Sequence, residues 1–107
     1  MASLQIDIQG LPLTPLDAAA EFHANELPEI RDDSDILEQH DLVIVFEPAG
    51  PEHRAWRLAA IQELAREMAP RRVNGVVGAE EAAIVDTIAY LDAAPGVTGQ
   101  LLSVQTR

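Results

Sequence analysis

Residues 42–46 read Leu-Val-Ile-Val-Phe, five apolar side chains in succession with β-branched residues in the middle. Successive strand side chains point to opposite faces, so such a run is the mark of a strand covered on both sides, as in a parallel sheet. Parallel neighbours need crossover connections, and the flanking sequence supplies them. Leu4, Ile6 and Ile8 alternate with Gln5, Asp7 and Gln9 up to Gly10-Leu11-Pro12, which predicts a first strand over 3–9 with one buried face. Thr14 and Pro15 suit an N-cap and first helical position, and Leu16, Ala19, Ala20 and His23 recur at helical spacing until Leu27-Pro28 closes a short helix. Pro51 opens a longer helix to about Met68, with Leu58, Ile61, Leu64, Ala65 and Met68 inward and Glu63 paired with Arg66 outward. After a strand over 73–77, Glu80-Glu81 open a helix whose buried stripe is Ile84, Val85, Ile88 and Leu91, and Leu101, Leu102 and Val104 make the last strand.

Strand and helix thus alternate through a single domain over 1–107. The expected fold is α/β, a three-layer Rossmann-like domain with a mainly parallel sheet of about four strands, near 3–9, 42–47, 72–77 and 100–105, and crossover helices. Right-handed crossovers that step repeatedly in one direction would put every helix on the same face. The first helix or another chain would then have to cover the second face of 42–46.

Seven Lys+Arg against eighteen Asp+Glu leave a formal charge of -11, a field that repels phosphate backbones and anionic headgroups, so neither nucleic acid nor a membrane is an expected partner. Glu26, Glu29, Asp32, Asp33, Asp35, Glu38 and Asp41 crowd one segment against Arg31 alone. Its spacing lacks the central glycine of a calcium loop, so a solvated acidic loop is expected, with Asp33 or Ser34 capping a short helix ending at His40, and no metal site. There is no cysteine, and all seven basic residues are arginine. Thiolate nucleophiles, a Walker-type lysine and a Schiff base are therefore excluded. With no basic n-region at the start and no apolar run near a membrane span, a soluble cytoplasmic protein is expected.

From about Asp41 onward the landmarks resemble the C-terminal half of the short-chain dehydrogenase/reductase family. That family follows an apolar strand with a helix ending in Glu-Leu-Ala-Pro, then Arg-Val-Asn-Ala-Val, a helix ending in a Tyr/Phe-Leu pair, and Val-Thr-Gly-Gln-x-Leu-x-Val-Asp-Gly-Gly. The corresponding text is LVIVF, LAREMAPRRVNGVVG and EEAAIVDTIAYLDAAPGVTGQLLSVQ, about 65 residues in all. The resemblance implies acid–base hydride chemistry, with a tyrosine donating a proton, a lysine four residues later and a serine on the substrate oxygen. Counting back from Glu67, the lysine position falls on Arg54 and the tyrosine position on Gly50, while Glu47-Pro48 stand at the end of the strand that carries the serine. The glycine-rich cofactor turn is reduced to Gly10, Val77-Gly78 leads straight into Glu80-Glu81 with no substrate lid, and the closing Asp-Gly-Gly is replaced by Gln105-Thr106-Arg107. The chain reads as a truncated, degenerate member without the cofactor and catalytic motifs; no catalytic residue and no cofactor are expected.

Two other groupings stand out. Glu47, His53 and Arg54 could form a polar pocket at the strand's C-terminal end, where open α/β sheets bind ligands. Trp56, the single tryptophan, shares a helix flank with Ala59 and Ala60, which suits either core filling under the acidic loop or an interface anchor, with Arg57 and Glu63 near the seam. The helix resembles the one that pairs with its symmetry mate in family dimers, so a homodimer is expected, with a related dehydrogenase as a further partner. The expected function is protein association without catalysis. A small-molecule or nucleotide-binding module is the alternative, and an active NAD(P)-dependent oxidoreductase comes last.

Overall fold

The computed structural model describes residues 3–104. Strands β1 (Leu4–Ile8), β2 (Leu42–Phe46), β3 (Val73–Val77) and β4 (Leu101–Ser103) form one sheet in the order β1-β2-β3-β4. Every pairing is parallel, with Ile6 opposite Ile44, Ile44 opposite Gly75 and Gly75 opposite Leu101. All five residues of β2 are buried. Of the expected last strand, residue 105 lies outside the described residues.

The first connection departs from expectation. Pro28 does not end the helix: α1 (Pro15–Glu21) runs through a π-turn (Phe22–Glu26) directly into α2 (Leu27–Ile36). In the π-turn the Leu27 N–H reaches back five residues to the Phe22 carbonyl, and Pro28, which has no N–H to donate, follows directly on this widened turn. The expected acidic loop is thus largely helix, with Ile30 and Ser34 buried and Glu29, Asp32, Asp33 and Asp35 exposed. Ser34 is not a cap; its hydroxyl donates to the Arg31 carbonyl at 2.9 Å.

A second departure concerns the layers. Phe22 and Ile30 pack with Ala60, Ile61, Leu64 and Met68 of α3 (Arg54–Met68, entered by a 3-10 turn over Pro51–His53) on one face of the sheet, against Ile8, Leu42, Ile44, Phe46, Val73 and Leu101. On the other face Val43, Val45 and Val76 meet Ile84 and Leu91 of α4 (Glu81–Asp92). The helices therefore do not share one face, and α4 of the same chain covers the second side of β2. All three crossovers step in the same direction across the sheet while the third uses the opposite face, so its hand is opposite to that of the first two. Within α4, Val85 turns outward rather than into the expected stripe.

Close helix–sheet approach depends on Gly75. A β-carbon there would lie 2.7 Å from Leu101 Cδ1 and 2.9 Å from Ile61 Cγ1, well inside contact distance. Gly75→Ala is expected to lower stability by about 1–3 kcal/mol by overpacking, and pairing it with Ile61→Val should return part of the loss in urea titrations. No recovery would place the strain elsewhere.

Candidate functional site

The two phrases that carry the sequence resemblance meet in space. The Asn74 side chain donates to the Val97 carbonyl (3.0 Å) and accepts from the Gln100 N–H (3.1 Å). The Val73 N–H donates to Thr98 Oγ1 at 3.1 Å, and the Gly99 N–H, from a residue with φ of 71°, donates to the Val73 carbonyl at 2.8 Å. Arg72 grips Asp41 through its backbone N–H (2.8 Å) and Nε (2.9 Å), while its Nη1 donates to the Leu91 (2.9 Å) and Ala94 (2.6 Å) carbonyls. These contacts gather the N-terminal ends of β2, β3 and β4 with the end of α4. The matched phrases thus set strand position at the end of the sheet away from the one where α/β folds hold ligands.

A profile of short chain dehydrogenase-like proteins, the SDR-like family, matches residues 6–104. The chain belongs to the SDR-like family. No curated protein and no solved structure matches it.

In this SDR-like chain the C-terminal strand ends are shaped by the short link from β2 to α3. Glu47 accepts the Gly10 N–H at 2.8 Å, tying the end of β1 to that of β2. His53 is buried, 5% exposed, and both ring nitrogens are engaged. The indole Nε1–H of Trp56 can only donate, so its 3.1 Å contact makes His53 Nδ1 the acceptor. Nε2 then carries the proton and donates to the Leu13 carbonyl at 2.9 Å. Arg54 reaches the Leu101 carbonyl only at 3.4 and 3.5 Å.

Glu47, His53 and Arg54 do not converge on one pocket. Glu47 and His53 line a hollow of about 470 Å³ on the β1 side of the link, with Glu52 at its wall. His53 and Arg54 line a separate hollow of about 290 Å³ on the β4 side. Arg57, expected near an outer seam, lies between them and lines both. It is 6% exposed, its Nη1 donates to the Glu47 carbonyl at 3.0 Å, and its guanidinium sits 4.8 Å from the Phe46 ring centroid. Its Nε–H is buried and has no acceptor among the described residues. Burial pushes the guanidinium below arginine's ordinary pKa, and the charge of Glu47 opposes that shift. Arg57 stands four residues before Ile61 and seven before Leu64, on the buried stripe of α3, and that spacing was the available signal for its orientation.

The flank of Trp56 is also resolved. The indole packs against Phe22 (5.5 Å between centroids) and Phe46 (5.9 Å), and Ala60 is 5% exposed in the same core. The long 15–36 helical run lies over this flank, so Ala60 is not available to a partner, whereas Ala59 is exposed. Tyr90, the single tyrosine, is exposed on α4, across the sheet from Arg54. His23 bonds the Ala19 carbonyl on α1. Among the described residues no three of His, Asp or Glu gather as metal ligands, and no helix is long and apolar enough to cross a membrane.

Proposed function

We propose that this chain is a non-catalytic SDR-like protein that works without a dinucleotide and through association, its partner being a second copy. The supporting observation is where the family-like residues act. Arg72 bonds Asp41 and the end of α4, Asn74 bonds Val97 and Gln100, and Thr98 and Gly99 bond Val73, all as framework, while the position matched to the family's tyrosine is Gly50 and that of its lysine is Arg54. Arginine holds its proton too tightly to act as an acid, so without a phenol beside it this position has no group to protonate a substrate oxygen.

Association is supported by the outer face of the helices on the α3 side. Leu16 is 85% exposed, and Ala20 and Ala24 follow it at four-residue intervals, all exposed. Ala55 and Ala59 are exposed on α3, on the same side of the sheet. Small residues around a protruding leucine permit close helix approach, and two-fold pairing is the commonest way to cover such a face.

Sedimentation equilibrium is expected to give a dimer, and Leu16→Glu, at a position that contributes nothing to the core, should weaken it by about 2 kcal/mol or more. A wild type that stays monomeric at high micromolar concentration would overturn the pairing. Thermal melts test the other half of the reading. A dinucleotide at 100 times its Kd would add ~2.7 kcal/mol of apparent stability, and no shift is expected with NAD(H) or NADP(H).

A further inference from the structure

We infer that His53 is a proton-operated latch: its neutral ring ties the loop after β1 to the start of α3, and uptake of a proton swings the ring into the β1-side hollow and frees the loop. His53 stands at the N-cap of α3, buried, and bonds two segments at once. Its Nε2 meets the Leu13 carbonyl at 2.9 Å and its Nδ1 the Trp56 indole N–H at 3.1 Å. A single protonation state serves both. Nδ1 must offer a lone pair to an indole that can only donate, and Nε2 must carry the hydrogen for a carbonyl that can only accept. A proton arriving at Nδ1 sets two N–H groups against each other across 3.1 Å, and the indole is held in place by Phe22 and Phe46. The imidazole is therefore the part that moves.

The charges around the ring set where it goes. Glu47 and Glu52, on the link between β2 and α3, line the hollow of about 470 Å³ together with His53. The Glu52 carboxyl folds back over Gly50, leaving no room there for a β-carbon. Arg54 and Arg57 of α3 line the β4-side hollow with His53, and Arg57 reaches the first hollow as well. The positive end of the α3 dipole adds to the two guanidiniums. Asp17, in the first turn of α1, is engaged with Thr14 at 2.8 Å. Among the described residues, the loop after β1 and strand β4 contribute no titratable side chain to either hollow. An imidazolium thus exchanges a seat at a helix N-terminus beside Arg57 for one near two carboxylates. Histidine is the side chain that ordinarily changes charge between about pH 5 and 8. Once released, the loop takes Leu11 and the 92% exposed Leu13 away from α3, and Leu16 follows three residues later. The start of α1, which is proposed above to meet a second copy, comes under the same control, but the latch does not rest on that pairing.

The test takes the full ¹⁵N-labelled chain from about pH 8 to about pH 5, reading the His53 ring nitrogens, the Trp56 indole N–H and the Leu11 and Leu13 amides. Trp56 is the single tryptophan, so intrinsic fluorescence reports on the same place. At the upper end the Nε2–H tautomer is expected. As the ring takes its proton, the indole N–H should lose protection from hydrogen exchange by about tenfold or more. The loop amides should shift in the same step and the fluorescence change, while the far-UV circular dichroism stays as it was. His53→Gln accepts and donates in the same way but takes no proton, and it should abolish the pH response of Trp56. His23→Gln and His40→Gln should leave that response intact. An indole N–H unmoved while His53 titrates, an Nδ1–H tautomer at high pH, or the same response in folded His53→Gln would each overturn the proposal. So would loss of the circular dichroism in the same step, or a ring that takes no proton until the fold is lost. If His53→Gln does not fold, the coincidence of the His53 and Trp56 signals in the wild type decides it.

Discussion

Trp56→Ala is expected to cost about 3 kcal/mol or more of unfolding free energy, the usual scale for deleting a packed tryptophan. The indole is wedged among Phe22, Phe46 and the His53 ring, with tilted and edge-on contacts at 5.5, 5.9 and 6.4 Å. Its removal opens a cavity where the π-turn, β2 and α3 meet, and it strips the Nδ1 acceptor of His53 of its donor. Trp56→Phe separates the two effects, since it keeps most of the ring packing and loses only the N–H, at about 1 kcal/mol. Urea unfolding followed by far-UV circular dichroism reads both variants. An alanine variant as stable as the phenylalanine one would show that the ring contributes little to the core.

Arg72→Met should lower stability by about 2–3 kcal/mol, because the substitution keeps an apolar stem and removes every side-chain donor. The Asp41 carboxylate would keep only the backbone N–H of residue 72, and the Leu91 and Ala94 carbonyls would lose their bonds to Nη1. Arg66→Met is the matched control. Its ion pair with Glu63 is exposed on both sides, so a change under about 0.5 kcal/mol is expected. Equal effects of the two substitutions would mean that the half-buried grip of Arg72 on Asp41 and on the end of α4 has no more value than a surface pair.

The strands were legible because their signal is local. Five apolar residues at 42–46 and the alternation from Leu4 to Ile8 each specify burial without reference to anything distant. The helix over 27–36 was not, since Pro28 and a crowd of carboxylates both argue for a loop, and the inward spacing of part-buried Leu27 with buried Ile30 and Ser34 is faint beside them. The placement of α4 could not be read locally either. Its stripe says which side chains are buried but not which face of the sheet buries them, and the usual handedness rule gives the wrong face for the third crossover. At the strand ends the sequence singled out Glu47, His53 and Arg54, polar residues near a strand terminus, and passed over Arg57 because a charge on a helix is ordinarily solvated. The aromatic platform of Phe46 and Trp56, drawn from two elements, is what holds that charge inside.

The open margin of β1 bears on solubility. An edge strand presents unpaired backbone groups, a template on which other chains can add strands and grow into aggregates. Gln5 and Asp7 stand exposed on β1 and hydrogen-bond each other at 2.9 Å, putting polar side chains along that margin beyond the part of the face that α4 packs. Among the described residues the opposite margin, β4, offers the three residues Leu101–Ser103. One margin is guarded by polarity and the other by brevity, so strand-by-strand growth is disfavoured at both ends while helix-mediated pairing remains open.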